Sequence, residues 1–328
     1  MTDRRWMGVA LAFAERTRGR TAPNPNVGCV IVKDDIVVGR GWTRPGGRPH
    51  AEAMALAQAG AHARGATAYV TLEPCAHESP RGPACSALLV AAGVARVVAA
   101  IGDPDARTAG RGFDRLRSAG IAVETGVLAD AARRSMAGFL IRQALGRPQV
   151  TLKLATSLDG CIALHDGTSR WITGPESRAH AHLERSRHEA ILVGRGTWEA
   201  DAPRLDVRLA GLEARGPQRV LLSRTLAPPG WKRIVSPAAI ADLDGVDHLL
   251  VEGGAKVATA FLAEDLVDRL LLYRAPILIG GRPGIGDLGL ADLGAAHGRW
   301  ATIDARQLGS DRLEVYERQR DTGGQSEG

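Results

Sequence analysis

Aromatic side chains are scarce in this sequence, at 4% of 328 residues. No run of basic residues accompanies them, so there is no strip on which bases could stack, and nucleic acid is not an expected partner. No apolar run approaches the roughly 20 residues that span a bilayer, so no membrane partner is expected either. The N-terminal segment MTDRRWMGVALAFAERTRGR sets Arg4, Arg5, Glu15 and Arg16 around a short apolar stretch. It lacks a cleavage site and reads as an amphipathic helix, not a targeting segment. There are four cysteines, Cys29, Cys75, Cys85 and Cys161, which do not form a disulfide framework. The expected compartment is the reducing cytosol. Cys29 in VGCVIV and Cys161 in another strand-like run are expected to be buried. Cys75 and Cys85 fall in loop-like sequence beside histidines.

Hydrophobic residues make up 45% and charged residues 24%, the mix of a globular protein long enough for two domains, each with its own core. The formal charge is +6, carried almost wholly by arginine, and it is uneven: residues 1–146 hold +7 and residues 147–328 hold −1. A basic half suits a phosphorylated substrate or a nucleic acid, and equally an arginine-rich solvated surface. Helices are expected over 6–14, 51–58, 84–92, 111–118 and 129–145. A hairpin is expected around Asp34-Asp35, with further strands at 68–72, 94–101 and 121–123. Strand–helix alternation of this kind implies a largely parallel sheet covered by helices. Gly146-Arg147-Pro148 breaks the last helix and the alternation restarts, which sets domains at 1–146 and 147–320. The polar tail 321–328 is expected to be disordered.

The strongest motif is His50-Ala51-Glu52, followed by Pro74-Cys75 and by Cys85. One imidazole and two thiolates give three zinc ligands and leave a fourth tetrahedral position for water, whose pKa the metal lowers toward neutrality. Glu52, two residues from His50, is placed to carry the proton from that water to a departing amine. This is the zinc-deaminase pattern with one departure: nine residues, not two, separate the cysteines. His77 as a fourth ligand would make the zinc structural, and the residues alone leave that alternative open.

The segments PNPNVGCVIV at 23–32, HAEAMAL at 50–56, TLEPCAH at 71–77, GPACSALLVAAGVARVV at 82–98 and DPDARTAGRG at 103–112 resemble the bifunctional deaminase–reductases of riboflavin biosynthesis. The resemblance implies an α/β chain: a cytidine-deaminase-like α/β/α domain, then a dihydrofolate-reductase-like α/β domain. It implies that Asn24, His77 and Asp103 line a pyrimidine pocket and that Arg81 contacts the substrate phosphate. The loop between the cysteines is one residue longer than the family's usual one.

In the second half, Val193-Gly194-Arg195-Gly196 and Leu250-Val251-Glu252-Gly253-Gly254-Ala255 each end a strand and open a helix, where backbone N–H groups can meet phosphate. Neither is a full dinucleotide fingerprint, and each taken alone is more often a plain turn. LKLATSLDG at 152–160, SRWITGPESR at 169–178, ADAPRLDVR at 200–208 and VEGGAKVATAFL at 251–262 are similar to the reductase half of the same family. The similarity implies NADPH held by Ala155, Trp171, Thr197, Asp201 and the helix start at Gly254, Ala255 and Lys256, with Ser223 or Arg224 near the 2′-phosphate. It implies substrate contacts from Lys153, Ser169, Arg185, Leu205, Arg208 and Glu252. Ala202 stands where the family usually has a second aspartate.

The expected activity is zinc-dependent deamination of 2,5-diamino-6-(5-phosphoribosylamino)pyrimidin-4-one, then NADPH reduction of its ribose to the ribitylamino uracil phosphate. Homo-oligomers are implied by the resemblance. Two other readings stand beside this one: a nucleoside or tRNA deaminase with an accessory domain, and a zinc-stapled nucleotide-binding protein without turnover.

Overall fold

The computed structural model describes residues 2–320, so the tail at 321–328, expected to be disordered, lies outside the described residues. The chain forms two compact units that meet at the Arg147–Pro148 bond.

The first unit runs α1 (Thr2–Ala14), β1 (Gly28–Lys33), β2 (Ile36–Trp42), α2 (Ala51–Ala59), β3 (Thr67–Val70), α3 (Cys85–Ala92), β4 (Arg96–Ala99), α4 (Arg111–Ser118), β5 (Ala122–Thr125), α5 (Ala129–Ser135) and α6 (Ala137–Leu145). Its five strands stand in the order β2-β1-β3-β4-β5. β1 is antiparallel to both neighbours, while β3, β4 and β5 are parallel, so the sheet is more mixed than the alternation predicts. The β1–β2 hairpin turns where expected, at Asp34 and Asp35, both at positive φ. The helix expected over 129–145 is broken at Met136 (φ −102°, ψ 17°). Just before the break, buried Ser135 donates to Glu15 and accepts from Asn26, which ties the chain there to the end of α1.

Glycine sets the distance between helix and sheet in this unit. A Cβ at Gly28 would stand 1.9 Å from Ala10 O, one at Gly39 2.2 Å from Ala55 O, and one at Gly41 2.1 Å from Ala51 O. The alanine faces of α1 and α2 therefore lie flush against the strands, and Ala10, Ala14, Ala51 and Ala55 are wholly buried.

The second unit runs β6 (Gln149–Thr156), β7 (Cys161–Ala163), α7 (Pro175–Arg185), β8 (Ala190–Gly194), α8 (Arg195–Asp201), β9 (Gln218–Leu222), β10 (Lys232–Ile234), β11 (His248–Val251), α9 (Ala255–Ala263), β12 (Arg269–Arg274), β13 (Arg282–Pro283), β14 (Trp300–Leu308) and β15 (Asp311–Arg318). Eight strands form one sheet in the order β10-β9-β8-β11-β6-β12-β15-β14, and β7 pairs separately with β13. The strands from β10 to β12 are parallel; β15 and β14 close the sheet antiparallel. The central strands AILVG and HLLV are buried along their whole length, as parallel strands covered on both faces must be. The parallel strands end on one edge of the sheet, where ligands of open α/β sheets bind.

Candidate active site and metal centre

His50 precedes α2 in extended conformation, and Glu52 lies in the first turn of that helix. Cys75 follows β3, and Cys85 is the first residue of α3. The ligand atoms of His50, Cys75 and Cys85 lie within 4.8 Å of one another. His50 Nδ1 is 3.7 Å from Cys75 Sγ and 3.4 Å from Cys85 Sγ. A tetrahedral zinc with ordinary bond lengths would hold nitrogen and sulfur about 3.6 Å apart, so the three groups fit the metal. Other groups fix them: Asn24 Nδ2 lies 2.9 Å from His50 Nε2, the Cys85 N–H points at Cys75 Sγ, and Ser86 donates through both its hydroxyl and its N–H to Cys75 O. The hydrogen bond between the two thiols pulls Cys75 well below the usual thiol range and, with burial, pushes Cys85 up. Such a pair readily gives up a first proton to a metal.

Glu52 is 3% exposed, and burial pushes its carboxyl up to about 7 against the opposing pull of His50. A carboxyl poised there can both accept and donate a proton near neutrality. His77 is not part of the ligand cluster; its Nδ1 faces Thr108 Oγ1 at 3.4 Å. Asn24, His50, Glu52, Cys75, His77, Arg81 and Asp103 all line one cavity of about 350 Å³. Burial pushes Asp103 up to about 6. The Arg81 guanidinium donates to Gly46 O at 2.6 Å, so part of its capacity is already used. Arg48, Arg107, Phe139 and Gln143 also line this cavity. Arg107 falls within the segment 103–112 but was not singled out; the other three belong to no motif, and Phe139 and Gln143 arrive from α6, far along the chain.

In the second unit, Lys153, Ala155, Ser169, Trp171, Thr197, Asp201, Glu252 and Gly254 line a cavity of about 270 Å³. Lys153, Trp171, Arg185 and Arg208 line another, of about 360 Å³. The two share Lys153, Trp171 and Arg178 and so adjoin. Between them lies a bidentate ion pair: Arg185 donates to both Glu252 oxygens at 2.7 and 2.8 Å, and the side chains are 13% and 8% exposed. Burial raises the Glu252 carboxyl, but the Arg185 hydrogen bonds and charge, with Lys153, outweigh it and hold it at about 2. Burial also lowers Lys153, beside the same pair.

Thr197 Oγ1 accepts the N–H of Gly254, which caps α9. A Cβ at Gly253 would stand 2.5 Å from Val257 Cβ, so this turn lies flush against the helix start. A glycine turn opening onto a helix N-terminus beside a cavity fits the phosphates of a nicotinamide nucleotide. Ser223 and Arg224 follow β9 on the same sheet edge but line neither cavity, and the Ser223 hydroxyl accepts from Thr225 and Leu226. Ala255 and Lys256 likewise lie outside both linings. Leu205 is not a cavity side chain: it packs in a core cluster with Ile191, Val193, Leu221 and Leu250. Among the described residues no helix is long and apolar enough to cross a membrane.

Fold and site together define a zinc-dependent deaminase of the cytidine-deaminase type joined to a dihydrofolate-reductase-like NADPH reductase. Residues 1–101 match the cytidine and deoxycytidylate deaminase zinc-binding region and residues 148–311 the RibD C-terminal domain. The riboflavin biosynthesis protein RibD of Escherichia coli is 40% identical over 85% of this chain and 89% of its own length; that of Aquifex aeolicus is 38% identical over 89% and 92%. The chain belongs to the RibD family, the bifunctional deaminase–reductases of riboflavin biosynthesis, and its cofactors are zinc and NADPH. Acinetobacter baumannii RibD superposes with a TM-score of 0.87 at 37% identity, covering 97% of this chain and 99% of the other. A Thermotoga maritima structure, described as a diaminohydroxyphosphoribosylaminopyrimidine deaminase/5-amino-6-(5-phosphoribosylamino)uracil reductase, gives 0.87 at 32% identity over 96% and 98%.

Proposed function

We propose that this enzyme deaminates 2,5-diamino-6-(5-phosphoribosylamino)pyrimidin-4-one and then reduces the ribose of the product. The observation that carries the reading is Glu52, buried beside three metal-ligand atoms at tetrahedral spacing in a cavity that also holds Asn24, His77 and Asp103. His50, Cys75 and Cys85 hold zinc, which supplies an acidified water and a Lewis acid. Glu52 takes a proton from the attacking water and delivers it to the substrate's amino group; the C–O bond forms first at the amine-bearing ring carbon, and the C–N bond then breaks with release of ammonia. Asn24, His77 and Asp103 orient the pyrimidine, and Arg81 meets the phosphate.

The deaminase is assigned to residues 1–146 and the reductase to 147–320. Ala155, Trp171, Thr197, Asp201, Ser223, Arg224 and the Gly254, Ala255 and Lys256 turn hold NADPH, which supplies hydride. Arg185, Arg208, Lys153, Ser169 and Glu252 bind and orient the sugar phosphate, with Leu205 contributing through its backbone. The protein's share of the reduction is to aim the nicotinamide at C1′ and to neutralise phosphate. A cytosolic homo-oligomer is the form we propose in the cell.

Mass spectrometry of the diamino substrate after incubation with and without NADPH tests this. Amine exchanged for oxygen in both samples, with hydride added only where NADPH is present, is the expected result. Deamination alone would sink the reductase assignment. An unchanged substrate would return the question to a nucleoside or tRNA deaminase, or to a protein without turnover.

A further inference from the structure

We propose that Glu73 is the positioning residue of the deaminase pocket, holding Asp103 against the substrate ring from beneath the metal loop. The proposal rests on the reading of Asp103 as a pyrimidine contact. Glu73 is 3% exposed, and no arginine or lysine pairs with it among the described residues. Its two oxygens instead accept four backbone N–H groups. Oε2 takes Asp103 at 3.2 Å and Gly110 at 3.0 Å. Oε1 takes Gly112 at 2.9 Å and Phe113 at 3.3 Å.

Two consequences follow from this arrangement. First, α4 starts at Gly110 without a side-chain cap of its own, and its orphan N–H groups are satisfied by a carboxylate 39 and 40 residues earlier in the chain. Second, both ends of the loop at 101–113 are pinned to the residue two before Cys75. The Glu73 N–H also donates to Ile101 O, and a Cβ at Gly112 would stand 2.1 Å from Pro74 O. The loop touches the metal strand again through Thr108, whose Oγ1 meets the Ala76 N–H and His77 Nδ1. Asp103, His77 and the chain segment that carries Cys75 thus share one anchor. Outer partners of this kind govern affinity through the residues they orient.

Glu73→Gln keeps the side-chain length but turns one oxygen into an NH₂ donor. The carbonyl will face the helix start, where it is favoured, leaving the NH₂ against the N–H groups of Asp103 and Gly110. The expected result is a deamination KM raised about 10–100-fold, with kcat within about twofold. One zinc per chain and full reduction of the deaminated intermediate should remain. Because the two residues act in series, Glu73→Gln combined with Asp103→Asn should be little worse than Asp103→Asn alone. Loss of zinc with KM unchanged, a fall in kcat alone, or simple additivity would overturn the proposal. A test on the unmodified chain stands apart from folding of any variant and from the substrate assignment: hydrogen exchange at the amides of Asp103, Gly110, Gly112 and Phe113. These amides should be protected as strongly as those of β4, and exchange at the rate of exposed loops would refute the knot. Failure of wild-type deamination would instead strike the substrate reading and leave the exchange result standing.

Discussion

Glu52 is the residue whose removal should be most informative. Its carboxyl is buried beside the metal-ligand cluster, so Glu52→Gln is expected to lower deamination by about 10²–10⁴-fold. Zinc content should remain at one per chain, since the ligands are His50, Cys75 and Cys85; ammonia release at the wild-type rate would refute the proton-carrying role. In the second unit, Glu252 offers a pH test. Its folded carboxyl lies at about 2 against an ordinary 4.5, so it stabilises the fold above pH 4.5, and that contribution disappears as pH falls from 4.5 toward 2. Glu252→Gln should remove this acid-sensitive component. Near neutrality it should also cost about 3–5 kcal/mol, because Arg185 is left buried without its partner. Urea melts of both proteins across that pH range would show whether the curves converge in acid.

At the scale of elements, most of what carries chemistry was legible in the sequence. His50-Ala-Glu52 opening a helix, Pro74-Cys75 after a strand and Cys85 opening a helix all announce their elements through proline and spacing. Glu73 was not legible, because its partners are backbone N–H groups 30 to 40 residues away that have no sequence signature. Met136 was hidden for a similar reason: the break there coincides with tertiary hydrogen bonds of Ser135 in a segment of good helix formers. The burial of the Leu205 side chain in a core cluster was not legible, because resemblance transfers a position without saying whether backbone or side chain faces the ligand. The end of α8 also carries a local misfit. Ala202 sits in the left-handed region (φ 38°, ψ 53°), which favours glycine or asparagine. Ala202→Gly is expected to stabilise the second unit by about 1 kcal/mol, or roughly 2–4 °C by calorimetry. An unchanged or lower melting temperature would mean that the alanine methyl contributes packing there.

At the scale of the whole molecule, two cores serve two chemistries. The first is built on a five-stranded sheet with helices seated on glycine, the second on an eight-stranded sheet whose central strands are buried throughout. Charge divides along the same line, +8 in residues 1–147 against −2 in residues 148–328, a division readable from composition alone. The antiparallel closure by β15 and β14 is only half announced by its residues: Leu313 and Val315 alternate with charged neighbours in β15, but β14 is largely exposed and too polar to announce itself. Since metal ligands occur only in the first unit among the described residues, chelation should abolish deamination and lower the melting of that unit alone. Reduction of the deaminated intermediate should continue at its original rate in the same sample. Loss of both activities on chelation would contradict this.

The glycines beneath α2 bear on how this enzyme can change. Gly39 and Gly41 touch neither metal nor cavity, yet the carbonyls of Ala51 and Ala55 rest where their side chains would be. A single methyl at position 41 must lift the start of α2, and His50 and Glu52 ride on that start. In a saturation library selected for growth without riboflavin, positions 39 and 41 should therefore be as intolerant as 50 and 52. The heritable footprint of this active site is wider than its chemistry, and it includes residues defined by having no side chain at all.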